Sequence, residues 1–379
     1  MTTATRRGRA RRRVPARARP LVLLVLALAL LLAAAALLLA LRAPHAPADP
    51  VALHDGDLGV TLRWTDASLN ERAFEIRSRA EDGPWTDWRS VPSRSAVTTG
   101  RAYEDTHAVP RRGTTYCYEV RAAGPGGAAG VDAGCAVPTV RNQRQAVPAY
   151  FYPDPGTGLW PAMCSAMNPE GGGSVAVLNP DSGPGDTADP GYAQAITGCH
   201  DRGHRVLGYV STDYGRRPLD RVLEDVDRYD ELYDVDGVFV DEMGNDAEDP
   251  GTGSDVRSYY RDVYDHVKER SEGSALVMGN PGVPAARAWQ LSDPVADVLV
   301  VFEGPADVYE EWTPPEWVRG QPPEKFAHLV HATPADRRLG VCELSTLRNA
   351  GYLYVTDDVL PNPWDSLPPY WDRQALACG

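Results

Sequence analysis

Among the eight histidines of this 379-residue chain there is no HExxH sequence. Nor is there an Asp/His arrangement of the kind a zinc polysaccharide deacetylase uses, so nothing signals metal chemistry. A Gly-Lys-Ser/Thr phosphate loop and a glycine-rich dinucleotide turn are missing too, and the expectation is a protein without a cofactor. Cysteine is sparse, and none of the six lies in a CxxC pair. In an exported chain they read as structural disulfides. Sequence order suggests Cys117 with Cys135, Cys164 with Cys199 and Cys342 with Cys378, out of fifteen possible arrangements.

Acidic residues are absent from the first 48 positions, which hold nine arginines. Eight of them lie in the first nineteen residues, and an unbroken apolar run follows from Leu21 to Leu41. Positions 1–20 are therefore expected to be a basic cytoplasmic tail and 21–41 a transmembrane signal anchor with everything after it outside the cell. The small-x-small sequence Ala46-Pro47-Ala48 offers the rival reading of a cleaved signal and secretion. The run exceeds the roughly 7–15 residues of an ordinary signal core, which favours the anchor. Subtracting those nine positive charges from the net −14 leaves −23 on the remainder. So acidic a surface repels nucleic acid and would concentrate a polymer bearing free amines.

Residues 42–50 read as a Pro/Ala-rich linker. From 51 to 140 short alternating runs, such as Gly59–Trp64, Ala73–Ser78 and Thr115–Ala122, are split by turn residues, the pattern of an all-β sandwich. This segment resembles a fibronectin type III domain, with Trp64 on an early strand as its buried tryptophan. No catalytic constellation occurs in it. Trp85 and Trp88 flank a turn, and edge-strand packing is a better reading for them than a sugar platform.

From residue 146 to 379 the periodicity changes. Eight apolar runs alternate with helical or loop stretches: Val147–Tyr152, Ser174–Asn179, Arg205–Ser211, Gly237–Asp241, Ala275–Asn280, Asp297–Glu303, Ala327–His331 and Tyr352–Thr356. Eight strand-helix units in that length predict a (β/α)8 barrel of the TIM type, with functional residues at the C-terminal strand ends. Those ends deliver Tyr150 and Tyr152, then Asn179, then Tyr209, Ser211, Thr212 and Tyr214 with Arg216 beyond, then Asp241 and Glu242, then Asn280, Glu303 and Tyr354; Trp160 follows the first strand. Aromatic rings stack on sugars, amides and hydroxyls read their hydroxyl groups, and paired carboxylates cleave glycosidic bonds. Asp241, Glu303 and Glu242 are the catalytic candidates. Tyr152, Trp160, Asn179, Tyr209, Thr212, Tyr214, Arg216, Asn280 and Tyr354 are the substrate-binding ones. Neighbours in a strand face opposite sides, so Asp241 and Glu242 are not expected to enter the barrel together.

The ordered segments Val147–Pro153, Leu178–Gly185, Leu207–Arg217, Gly237–Glu242, Asn280–Gly282 and Val301–Gly304 resemble the spherulation-specific spherulin-4-like family, itself similar to glycoside hydrolase family 135. The resemblance implies a barrel-shaped endo-α-1,4-N-acetylgalactosaminidase acting on galactosamine-containing exopolysaccharide. It maps the family's acids onto Asp241, Glu242 and Glu303. The expected function is thus an extracytoplasmic endo-glycosidase, with Glu303 as general acid and Asp241 as nucleophile or base. A catalytically silent carbohydrate-binding or adhesion protein, or a glycosidase on another cell-wall glycan, is the alternative.

Overall fold

The computed structural model describes residues 19–54, 58–94, 99–168, 173–248, 255–284 and 286–372. The apolar run lies in helix α1 (Arg19–Ala40), close to the expected 21–41. Among the described residues, however, no helix is long and apolar enough to cross a membrane.

The chain divides into two compact units. The first spans the chain to Ala136, and the second is built mainly from Val137 onward, with segments 54–60 and 107–115 grouping with it. Seven strands precede the barrel: β1 (Ala48–His54), β2 (Gly59–Thr65), β3 (Ala73–Ala80), β4 (Arg89–Pro92), β5 (Ala102–Ala108), β6 (Tyr116–Gly124) and β7 (Gly127–Ala136). They form one sheet of order β1-β2-β5 and one of order β4-β3-β6-β7. Trp64 is buried, stacked on Tyr103 at 5.6 Å and edge-on to Phe74 at 5.5 Å. Cys117 and Cys135 face each other across β6 and β7 and are bonded, as their order suggested. Trp85 and Trp88 are covered by guanidinium groups: Arg77 lies 4.8 and 4.6 Å from the two rings, Arg79 5.0 Å from Trp85 and Arg121 3.9 Å from Trp88. Rings so occupied are packing, not a sugar platform.

The second unit carries eight parallel strands, β8 (Ala146–Ala149), β9 (Val175–Leu178), β10 (Arg205–Ser211), β11 (Gly237–Asp241), β12 (Leu276–Gly279), β13 (Val298–Pro305), β14 (Phe326–His331) and β15 (Tyr352–Val355), hydrogen-bonded in chain order. The ring is nearly closed by a parallel bridge between Arg144, just before β8, and Tyr352 of β15. Its bonds run from Leu353 N–H to Arg144 O at 2.8 Å and from Arg144 N–H to Gly351 O at 3.0 Å. All eight expected runs are strands, and every connection between them carries a helix: α2 (Leu159–Ala166), α3 (Pro190–His200), α4 (Leu219–Leu232), α5 (Val256–Arg270), α6 (Trp289–Ser292), α7 (Ala306–Glu311) with α8 (Glu316–Arg319), and α9 (Arg338–Leu347). The sequence signals are physical. Val222, Val226 and Tyr229 on α4, and Val256, Tyr260, Val263 and Val267 on α5, recur every three or four residues and are buried. Asp189 and Asp255 cap α3 and α5 by accepting backbone N–H groups. Cys164 on α2 and Cys199 on α3 are bonded, and Cys342 on α9 is disulfide-bonded as well; Cys378 lies outside the described residues.

Gly208, in the strand that leads to the site, has the ring of Tyr229 against it, and a methyl group there would come within 2.6 Å of the ring. Tyr229 is fully buried. Gly208→Ala should cost about 1–3 kcal/mol by overpacking, read as a lower midpoint in chemical denaturation. An unchanged midpoint would mean that α4 shifts freely over the sheet.

Candidate active site

The ends of β10, β11, β12 and β13 lie side by side, with Ser211 paired to Asp241 and Val240 to Gly279. Tyr209 and Ser211 share a face with Asp241, since side chains two apart point the same way and register partners face together. The Tyr209 hydroxyl bonds the Asp241 carboxylate, and the ring of Tyr150, just past β8, meets that of Tyr209 edge-on at 5.5 Å. Glu242 leaves strand geometry altogether. Its φ of 51° is the left-handed region, costly for a residue with a Cβ. The Ser211 hydroxyl donates to Glu242 Oε2 at 2.6 Å, so the acid after Asp241 is brought back to the face where Ser211 lies. Strand alternation alone separates the two acids; the backbone turn removes that separation.

Glu303 reaches the same place through a second irregularity. Val300 pairs with Ala327 and Phe302 with His328, so Val301 is an extra residue in β13. One inserted residue reverses the alternation of everything after it. Phe302 therefore packs outward with Tyr309, Val330, Leu353 and Val355, and Glu303 turns inward.

The two acids meet at one nitrogen. Asn280 Nδ2 donates to Asp241 Oδ1 at 2.7 Å and to Glu303 Oε2 at 2.6 Å. The two accepting oxygens are therefore no further apart than the sum of those bonds, ~5.3 Å, which is within reach of direct attack by a carboxylate (about 5–5.5 Å) and below the 6.5–9.5 Å that leaves room for a water.

Their environments differ. Burial, followed by the charge of Asp241, pushes the Glu303 carboxyl up to about 7, and its one opposing hydrogen bond comes from Asn280. Asp241 is also raised by burial, but its carboxylate accepts from the Glu242 backbone, Tyr209 and Asn280, all of which favour its charged form. Asp241 is thus the acid that ionises first and Glu303 the one that keeps its proton near neutrality. Such a pair can donate a proton from one carboxyl and attack with the other.

The remaining candidates divide. Tyr214 is 41% exposed, its backbone N–H donates to Glu242 O at 2.7 Å, and its phenol is raised by burial and then by the nearby charges of Glu242, Asp241 and Glu303. Tyr152 stands apart, 55% exposed, with its hydroxyl on the Asp189 carboxylate at the start of α3. Trp160 is 2% exposed, and its indole N–H is spent on Phe151 O, so it is core and not a sugar platform. Thr212 is buried, bonding the Asp241 and Glu242 carbonyls and the Tyr260 hydroxyl. Tyr354 is buried against Trp364 and Trp371, with its hydroxyl on Ser366 O. Asn179 Oδ1 accepts the Gly183 N–H and pins its own loop. Arg216 is exposed on the turn after β10, while Arg217 is drawn off to Asp225 of α4 at 2.7 Å. Residue type at a strand end does not reveal whether a polar atom is already committed inside the protein. Asn280 was legible as polar; its bridging role is signalled by Asn280-Pro281-Gly282, a sequence that favours a turn in which the side-chain oxygen accepts the N–H two residues on.

Two known proteins share this architecture or sequence. Sph3 of Aspergillus clavatus, solved in complex with GalNAc, superposes with a TM-score of 0.52 and 24% identity, covering 62% of this chain and 97% of Sph3. Spherulin-4 of Physarum polycephalum is 28% identical over 243 residues, 61% of this chain and 68% of its own length. The model of spherulation-specific family 4 matches residues 145–377, more than half of the chain, and this protein therefore belongs to that family.

Proposed function

We propose that the protein is a retaining endo-glycosidase facing the outside of the cell, acting on an amino-sugar exopolysaccharide. The observation that carries this reading is the single amide nitrogen reaching both Asp241 and Glu303. In the first step Glu303 gives its proton to the leaving glycosidic oxygen while Asp241 attacks the anomeric carbon. In the second, Glu303 takes a proton from water, which releases the sugar from Asp241 and restores both groups. Glu242 and Tyr214 flank the cleft, and Tyr209 holds the nucleophile.

The substrate class draws support from Sph3, which was solved with GalNAc bound. A galactosamine-containing polymer is the first substrate to test. Export draws support from the arginine-rich start, the apolar segment after it and the bonded cysteines. The fibronectin type III-like unit, with two sheets and a buried tryptophan, is a non-catalytic spacer or binding module.

The test is a panel of purified polysaccharides with proton NMR of the earliest product. Reducing ends should appear with the anomeric configuration of the bond that was cut. Initial release of the opposite anomer would reject the direct-attack assignment of Asp241. Binding without reducing-end release would favour a carbohydrate-binding protein in its place.

A further inference from the structure

Every hydrogen-bonding group of Asn280 has a partner, and no hydrogen of it is left to donate to a sugar. Its backbone N–H donates to Val240 O at 2.8 Å, and its carbonyl accepts the Met243 N–H at 2.8 Å, so its main chain is bonded to residues at and just past the end of β11. Its side-chain oxygen accepts the Gly282 N–H at 3.0 Å. That bond fixes which way the amide faces: the oxygen turns to the Gly282 turn, and both hydrogens of Nδ2 turn to the carboxylates. The residue is 3% exposed. Resting on the two-carboxylate reading above, we infer that Asn280 is a positioning residue: it sets the gap between nucleophile and acid and holds both in their reacting orientation, in place of the sugar contact its position suggested.

The chemistry explains why an amide suits this place. Two carboxylates this close repel when both are charged, and a cation between them would hold both charged and leave no proton donor. A neutral amide offers one hydrogen to each, tolerates either protonation state and brings no charge of its own. As the reaction proceeds Asp241 loses its charge to the covalent bond and Glu303 gains one by giving up its proton. A donor fixed between them serves both states without moving.

The tests are Asn280→Ala, which removes the donor, and Asn280→Asp, which keeps the acceptor for Gly282 and replaces the donor by an acid. With a hydrolysed polymer, kcat should fall by about 10²-fold or more while KM stays within a factor of about three, because misplacement near the reacting atoms acts on the chemical step. Losing the donor removes support for the charged forms, so both limbs of the pH profile of kcat/KM should move to higher pH in Asn280→Ala. A sugar contact would raise KM and leave the profile in place. A merely structural role would lower the melting temperature with the profile unmoved. Either result overturns the inference.

A substrate-free measurement separates this inference from the glycosidase reading. In the full chain labelled with ¹³C at glutamate Cδ, the Glu303 signal is the one missing from Glu303→Gln. Its titration midpoint should lie higher in Asn280→Ala than in wild type. An unmoved midpoint refutes the positioning role even if the protein cleaves no polymer tested, and a moved midpoint sustains it in that case.

Discussion

Glu303→Gln is expected to lower polysaccharide hydrolysis by about 10²- to 10⁴-fold while making the folded protein more stable at pH 8. The loss follows from removing the proton donor, since glutamine cannot protonate the departing oxygen. An activated aryl glycoside, whose leaving group departs without a proton, should lose far less. The gain in stability follows from linkage. Burial holds the Glu303 carboxyl up to about 7, against 4.5 for an ordinary glutamate. Below pH 4.5 the folded and unfolded states are both protonated, and the side chain adds no pH dependence. Between 4.5 and 7 the unfolded chain ionises while the folded one does not, so stability declines as pH rises. Above 7 the native state carries the whole cost of a buried charge. Removing that charge should return on the order of 1–3 kcal/mol, allowing for the water that still reaches this half-buried side chain. The stabilisation should be absent at pH 4 in thermal melts. A variant that is inactive and less stable at pH 8 would show that Glu303 serves the fold.

The same carboxyl sets the alkaline limb of activity. Wild-type kcat/KM should fall as pH rises through about 7, because the acid is then ionised. The acidic limb belongs to Asp241, which must be charged to attack; burial moves that limb above the ordinary aspartate range.

Asp241→Ala is expected to abolish turnover, by on the order of 10⁴-fold or more, because Asp241 is the carboxylate that shares the Asn280 donor with the acid and so stands at attacking distance. In the α-linked amino sugars implied by the family resemblance, the 2-acetamido group lies on the same side as the leaving oxygen. It cannot reach the rear of the anomeric carbon, so the nucleophile must come from the protein. The shortened side chain leaves room for a small anion. With azide and an activated substrate, activity should return and yield a glycosyl azide of configuration opposite to the substrate. Product of retained configuration, or no rescue beside a folded protein, would remove Asp241 from the nucleophile's place.

The barrel was legible because its signals are local. Each buried strand is a short apolar run bounded by polar turns, and α4 and α5 repeat apolar residues at helical spacing. The acids at the strand ends were legible for the same reason: a carboxylate closing an apolar run is conspicuous. The geometry that joins them was not. Inward direction for Glu303 depends on Val301 being an extra residue in β13, and inward direction for Glu242 on a left-handed backbone turn. Neither leaves a mark in composition or periodicity, since valine and glutamate are ordinary residues in regular strands. Trp160, Thr212 and Tyr354 mislead in the opposite sense. Each has the polar group a sugar site wants, and each spends it on a neighbour within the barrel unit.

The central claim is that Asp241 and Glu303 act across one glycosidic bond. Its most direct test is intact-protein and peptide mass spectrometry of Glu303→Gln quenched after exposure to an N-acetylgalactosaminyl fluoride, whose leaving group needs no acid and whose adduct the variant is slow to release. A mass gain of one sugar residue, mapped to Asp241, is the predicted result. An adduct on another residue, or turnover of the fluoride with no adduct at any quench time, would contradict it.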